Sequence, residues 1–528
     1  MTNFRIIPAA TALALLLSTG AVSAEVVLNR GNDTDPATLD HHKTSTVAEG
    51  NVMRDLYDGL VIQDENAEVV AGAAESWEIS DDGLTYTFHL REDGKWSNGD
   101  PVTAQDFLFT FRRIMTPETA AGYASMLYPI NNAEAIAGGE MEPDQLGVEA
   151  VDDHTLVITL HTPTPYFLEL LTHQTGLPMH QASVEEHGDA FTRPGNLVTN
   201  GAFMLESFTP NDRIVMRKNP HYYDADEVQI DVLNYIPFED RANCMRRFEA
   251  GEVHICSDVA AEQMDYVNAN LADQFRLSPY LGTYYLPVKG AADSPLKDPK
   301  VRQALSMLID REFIAEQVWR DTMLPAYSLI PPGIANYVED VPQLDYADTD
   351  ILDREDAARA LFEEAGVDPA SLTIELGFNS SENNRNTMTA LADQFSALGI
   401  RTTMNEMEGT GYFNYLREDG PFDIVRAGWI GDYNDPQNFL MLYETGVSFN
   451  YPRWSNEEFD QLMRDAASET DLDARAQILA QAEQIYLDEV PAIPIMYYSS
   501  RALVADSVQG WEDNLMDTHK TRYLSLPE

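Results

Sequence analysis

Between residues 74 and 90 the chain reads AESWEISDDGLTYTFHL. Leu84, Tyr86, Phe88 and Leu90 alternate with polar positions after an Asp-Asp-Gly turn. A period of two places alternate side chains on opposite faces, so the stretch predicts a β-hairpin with one buried face. The pattern changes in VTAQDFLFTFRRIM (102–115), which predicts a helix with Thr103 as its N-cap. DDHTLVITLH (152–161) alternates again and predicts a strand.

The C-terminal half has a different rhythm. LDREDAARALFEEAG (352–366) predicts a helix with acids in its first turn and Gly366 as its stop. LTIELGF (372–378) predicts a strand, NNRNTMTALADQFSALG (383–399) a helix stopped by Gly399, and IRTTMNEM (400–407) a second strand. Strand, helix and strand at this spacing form a parallel βαβ unit. FDIVRAG (422–428) supplies a further strand, and GWIGDYNDP (428–436) lies at its carboxyl end. Ligands of open α/β sheets gather beyond such ends, which makes Asp432 and Asp435 binding candidates on topology alone.

Length and composition narrow the picture. A chain of 528 residues exceeds one core and predicts two or three domains. Lys and Arg total 34 against 87 Asp and Glu, a net charge of −53. That excess disfavours nucleic acid and anionic membranes as direct partners. It is spread along the chain, as in a solubilising acidic shell or an adaptation to salt. Residues 1–24 read as a secretory signal: Arg5, an apolar run around Ala12–Leu17, and a Val22-Ser23-Ala24 cleavage site. No cysteine follows the run, so a soluble, exported protein without a lipid anchor is expected. Cys244 and Cys256 either form a disulfide, which export permits, or remain two buried thiols.

Enzyme signatures are missing. There is no GxSxG, no HExxH and no GxxxxGK[ST]. His41 and His42 are expected at the surface, because neighbours on a strand diverge. The run from Asp432 to Asp435 resembles the start of a calcium loop, but Pro436 and Gln437 stand where the next ligand and the glycine belong. No metal and no cofactor is therefore expected. A pair of carboxylates keeps a secreted hydrolase open as the reading from another class.

Several segments, in order, carry a family likeness: RDLYDGL (54–60), AESWEISDDGLTYTFHLREDGKWSNGDPVTAQDF (74–107), DDHTLVITL (152–160), VTNGAFML (198–205), DPKVRQAL (298–305) and FDIVRAGWIGDYNDP (422–436). Together they resemble the periplasmic oligopeptide-binding proteins, solute receptors of peptide ABC importers. The resemblance implies an α/β, two-lobed periplasmic binding protein-like fold with an additional inserted β-rich domain. Residues 25–57, 182–281 and 500–528 would form the N-terminal lobe, 58–181 the inserted domain and 282–499 the C-terminal ligand-binding lobe. The lobes would be joined near 281 and 500. The implied partners are a short peptide and a membrane permease, with the receptor a monomer. The alternative solutes are a murein peptide, an opine-like compound or a sugar oligomer.

The resemblance also implies roles for single residues. Asp432, directly before Tyr-Asn, would pair with the ligand's α-ammonium, while Asp435 reads as a turn residue. Gly428 and the segment around Val47 would bond the ligand backbone as an added strand. Tyr123 lies near the ligand or is simply packed, and Trp429 either walls the first side-chain pocket or fills core. Arg426 alternates with Ile424 and Gly428, so it shares their face; it and Arg417 would serve ligand carboxylates. Trp319 and Asn384 replace a lysine and a histidine of relatives, with Arg385 as a substitute cation, and Ser45 replaces a glutamate at the cleft mouth. A disulfide of some relatives maps onto Gly282 and Ile430, so both of its halves are missing here.

Overall fold

The apolar positions collect into two large clusters. The first gathers Leu28, Phe88, Phe107 and Leu233; the second gathers Leu281, Leu376, Leu391 and Ile495. A small third cluster surrounds Cys244 and Cys256. This architecture is that of a computed structural model, which describes residues 25–238 and 240–527. The signal-like segment 1–24 lies outside the described residues. Among the described residues no helix is long and apolar enough to cross a membrane.

The hairpin forms from strands Ala74–Ile79 and Thr85–Leu90, antiparallel, and Thr155–Thr159 and Val148–Ala150 complete a four-stranded sheet. Tyr86, Phe88 and Leu90 are buried, as period two requires. Leu84 lies just before the strand and is half-buried. Helix Ala104–Met115 covers this sheet through Phe107, Phe111 and Ile114, and the Asp106 carboxylate accepts the Thr103 N–H at 2.9 Å. This segment has its own sheet but shares the first lobe's apolar core.

One large sheet connects the two cores. Its order is Ala427–Ile430, Phe275–Pro287, Ala492–Val504, Ile255–Cys256, Val27–Asn32, Val232–Pro237, Arg213–Lys218 and Phe203–Thr209, with Leu324–Pro325 also beside Ala492–Val504. The two long strands, Phe275–Pro287 and Ala492–Val504, pass from one core to the other. Their pairing is regular up to Pro279 opposite Ser499 and resumes at Thr283 opposite Tyr497. Tyr280, Leu281 and Gly282 therefore face Tyr498 alone. Extra residues on one strand bend it, and this bend lies where the chain leaves the first core and enters the second. At its end, Gly282 stands opposite Ile430, and a Cβ on Gly282 would come within 2.5 Å of the Ile430 side chain. The two positions matched to the relatives' disulfide thus face each other across a strand pair.

The βαβ unit consists of Thr373–Asn379, helix Glu382–Ser396 and Arg401–Met407, with the strands parallel. Gly366 and Gly399 follow their helices at φ +68° and +78°, the left-handed conformation that ends a helix without Cβ strain. FDIVRAG, expected as one strand, is split. Ile424–Val425 joins the βαβ sheet, whereas Ala427–Ile430 crosses to the large sheet and pairs antiparallel with Phe275–Pro287. Arg426 marks the switch: its N–H donates to the Gly377 carbonyl at 2.8 Å and its carbonyl accepts the Tyr412 hydroxyl at 2.6 Å.

The expectation of surface histidines is corrected. His41 and His42 lie on a short helical turn, His41–Lys43, enclosed by the inserted segment, and both are buried. His41 Nε2 lies 2.9 Å from the Leu177 carbonyl, and His42 Nδ1 lies 2.8 Å from the Arg113 guanidinium, which is itself ion-paired with Asp40 at 2.7 Å. Burial holds His41 neutral, with its pKa down at about 4.

Cys244 and Cys256 are disulfide-bonded, with their Cα atoms 6.0 Å apart. The bond ties helix Arg241–Glu249 to strand Ile255–Cys256. Replacing both by serine is expected to lower the unfolding free energy by about 2–4 kcal/mol. Urea unfolding checks this, and an unchanged midpoint would contradict it.

Candidate functional site

Strand Ala427–Ile430 is an edge of the large sheet, with a cavity at each end. One, of about 270 Å³, takes Asp432 and Trp429 from the second lobe and Val47, Tyr123 and His173 from the first. The other, of about 680 Å³, takes Arg426, Trp319 and Asn384 from the second lobe and Asp33, Asp240 and Glu262 from the first. Both cavities are therefore interlobe spaces.

Asp432 follows Gly431, whose N–H is anchored on the Leu281 carbonyl at 2.7 Å. The anchor puts the carboxylate into the smaller cavity. No hydrogen-bond donor and no cation pairs with it among the described residues. Burial without a counter-ion disfavours the charged form and pushes its pKa up to about 7. Asp435, three residues on, has the opposite surroundings. It is fully buried, and both of its oxygens lie 2.8 Å from the Arg475 guanidinium. It also accepts the Gln437 N–H at 3.0 Å and the Asn336 amide at 3.3 Å. One acid of the motif is consumed by the fold and the other is left open.

Arg426 is the converse of Asp432. Its guanidinium donates to the Tyr498 hydroxyl at 2.7 Å and to Asn379 Oδ1 at 3.3 Å, and lies 5.0 Å from the centre of the Tyr284 ring. Its Nε is buried without a partner, and no carboxylate pairs with it among the described residues. Gly428 makes this arrangement possible: a Cβ there would sit 2.5 Å from the Tyr498 hydroxyl. The close approach that requires glycine is therefore that of Tyr498.

The remaining wall residues divide by lobe. Val47 opens helix Val47–Leu56 behind a Thr46–Glu49 capping box, and its side chain is 52% exposed to the smaller cavity. Its N–H has no partner among the described residues. Tyr123 stacks on His173 at 5.4 Å; burial, and then the charge of Asp432, raise its pKa to about 12. Trp429 donates from Nε1 to Asn438 at 2.6 Å, which holds its ring in the cavity wall. Asn384 lines the larger cavity with its amide already used: it donates to the Asn379 carbonyl at 3.1 Å and accepts from the Tyr284 hydroxyl at 3.3 Å.

A model described as bacterial extracellular solute-binding proteins, family 5 Middle, matches residues 68–451. The chain belongs to that family. Three comparisons give the family 5 protein its context. The periplasmic oligopeptide-binding protein OppA of Salmonella typhimurium is 34% identical over 528 residues, covering 97% of this chain and 96% of its own. The periplasmic murein peptide-binding protein MppA of Escherichia coli is 34% identical over 484 residues, covering 91% and 89%. The crystal structure of Haemophilus influenzae OppA in complex with RPPGFSPFR superposes with a TM-score of 0.80 at 34% identity, covering 95% of this chain and 98% of that one. The two-lobed α/β architecture is that of these solute-binding proteins.

Two expected site residues of the family 5 protein lie elsewhere. Arg385 is one position along its helix from Asn384, a turn of about 100°. It is exposed and ion-paired with Glu406 at 2.5 Å. Arg417 ends helix Gly409–Arg417, is exposed and donates to Asn414 at 2.8 Å. Neither lines either of the two interlobe cavities. The wall residues that the sequence did not point to include Tyr498, which holds Arg426, and Tyr280 and Arg54 in the smaller cavity. Arg54 stands in RDLYDGL, so that motif was the available signal; Tyr498 and Tyr280 are marked by no motif.

Gly428→Ala is expected to force Tyr498 off Arg426 and to cost about 1–3 kcal/mol of stability. Thermal unfolding checks this. Wild-type stability would show that the Tyr498 ring yields freely.

Proposed function

We propose that the protein binds a short peptide, extended along the Ala427–Ile430 edge between the lobes, and delivers it from the periplasm to the permease of an ABC importer. The observation that carries this reading is a pair of opposite charges without protein counter-ions, Asp432 and Arg426, placed at the two ends of one sheet edge. A free peptide is complementary to all three features. Its ammonium suits Asp432, its carboxylate suits Arg426, and its backbone can pair with an edge strand whatever its side chains. Six residue steps at about 3.3 Å separate the two charges by at most ~20 Å, the reach of an extended peptide of up to about five residues.

The similarity to OppA proteins, one of them solved with a peptide, supports the ligand class. The equal identity to MppA supports a murein peptide as the second reading, since it offers the same pair of charges. A neutral sugar oligomer offers neither. The ligand is returned intact, and the protein acts as a soluble monomer after removal of residues 1–24. Asn384 and Trp319 supply no cation to the larger cavity, and its other arginines, Arg241 and Arg501, are both ion-paired with Asp258, so Arg426 is the group that receives the carboxylate.

Asp432→Asn is expected to weaken binding of an unblocked tripeptide by about 2–5 kcal/mol. The N-acetylated peptide, already poor, should change little. Calorimetry reads both, and equal wild-type affinity for the free and acetylated forms would refute the role of Asp432.

The pH dependence has a definite sign. An ammonium stabilises the ionised carboxylate, so ligand binding expels the proton that burial retains at a pKa of about 7. Lowering the pH from 7 to 6 reduces the ionised fraction from a half to about a tenth, and affinity should fall about fivefold. Asp432→Asn should abolish that slope; a variant that keeps it would show that another group titrates.

A further inference from the structure

Next to Asp432, the Tyr433 side chain leaves its own lobe. Among the described residues it is the one member of segment 282–499 buried within the first lobe's apolar cluster. There its ring stacks on Tyr166 at a centroid distance of 5.0 Å and an interplanar angle of 7°. The Arg475 guanidinium, held by Asp435, lies 5.3 Å from the centre of the Tyr166 ring. Tyr166 directly precedes helix Phe167–Thr172 of the inserted segment, whereas Tyr433, Asp435 and Arg475 belong to the second lobe. The contact therefore bridges the cleft, and it touches neither cavity.

One group in this contact opposes it. Glu169, on the Phe167–Thr172 helix, has a buried Oε2 without a hydrogen-bond partner. Burial first, and then the Asp435 charge, raise its pKa to about 7. The unpartnered Glu169 oxygen and the Arg475-paired Asp435 thus come from opposite lobes to the same contact.

We propose that the Tyr433–Tyr166 stack under Arg475 is a closure latch that retains the ligand, and that Glu169 is a built-in brake on it. Because Asp432 and Tyr433 are adjacent, a ligand that seats Asp432 also seats the latch. The inference rests on the peptide-binding reading for its ligand, but not for its geometry.

The test uses the full-length mature protein, tri-alanine as the probe, and one spin label on each lobe. Tyr166→Ala should release tri-alanine about tenfold faster and shift the ligand-free interlobe distances towards the open state. Tyr166→Phe keeps the ring and should restore both values. Glu169→Gln should act in the opposite direction, slowing release about threefold and enriching the closed state. A folding defect would not produce that gain. Wild-type release and distances in Tyr166→Ala would overturn the latch. Faster release in Glu169→Gln would overturn the brake. If wild-type protein fails to bind tri-alanine, the peptide reading falls, while the ligand-free distances still judge the latch.

Discussion

A half-buried acid without a counter-ion is the constraint on which the proposed binding site turns. Asp432 is that acid, and the fold does nothing to relieve it. Burial pushes its pKa to about 7 because no cation within the protein offsets the lost hydration. A ligand that brings a positive group offsets it, in a space where a charge-assisted hydrogen bond is stronger than in water. Arg426 extends the same logic with the opposite sign. Its aromatic and amide neighbours orient it, and its Nε is left without a partner.

The architecture holds those two charges at opposite ends of one edge strand. A strand confined to the βαβ sheet would keep both charges away from the large sheet that the two cores share. The switch at Arg426 instead carries the chain onto the large sheet, beside the bend at Tyr280–Gly282 where the lobes join. The two cavities and the bend are thus neighbours on the same strand pair. The short step from Asp432 to Tyr433 places the cavity acid beside a contact with the opposite lobe. A ligand shifts the balance between open and closed states only through contacts that one state has and the other lacks. Asp432 and Tyr433 are placed to make such contacts together.

Much of this was legible in the sequence, and the rest fails for identifiable reasons. The hairpin at 74–90, the helix behind Thr103 and the βαβ unit declare themselves because their apolar periods match one exposed and one buried face. The break in FDIVRAG carries no such mark. It depends on Tyr412, distant in the preceding helix, capturing the Arg426 carbonyl. The burial of His41 and His42 was invisible because their cover comes from Leu177 and Arg113, more than seventy residues away. Within the motif, sequence named both Asp432 and Asp435 but could not show that Arg475 neutralises only the second. Adjacency to Asn384 points to Arg385, but helical rotation sends it to Glu406 instead. What sequence conveys least is the absence of a partner, and the site consists of two such absences.

Asp432 is proposed to receive the positive end of the ligand. A crystal structure with tri-alanine bound tests this role most directly. The peptide's terminal nitrogen is expected at about 2.8 Å from an Asp432 carboxylate oxygen, with the backbone running along Ala427–Ile430. A peptide bound with its nitrogen elsewhere, and Asp432 turned to water or to a protein cation, would contradict it.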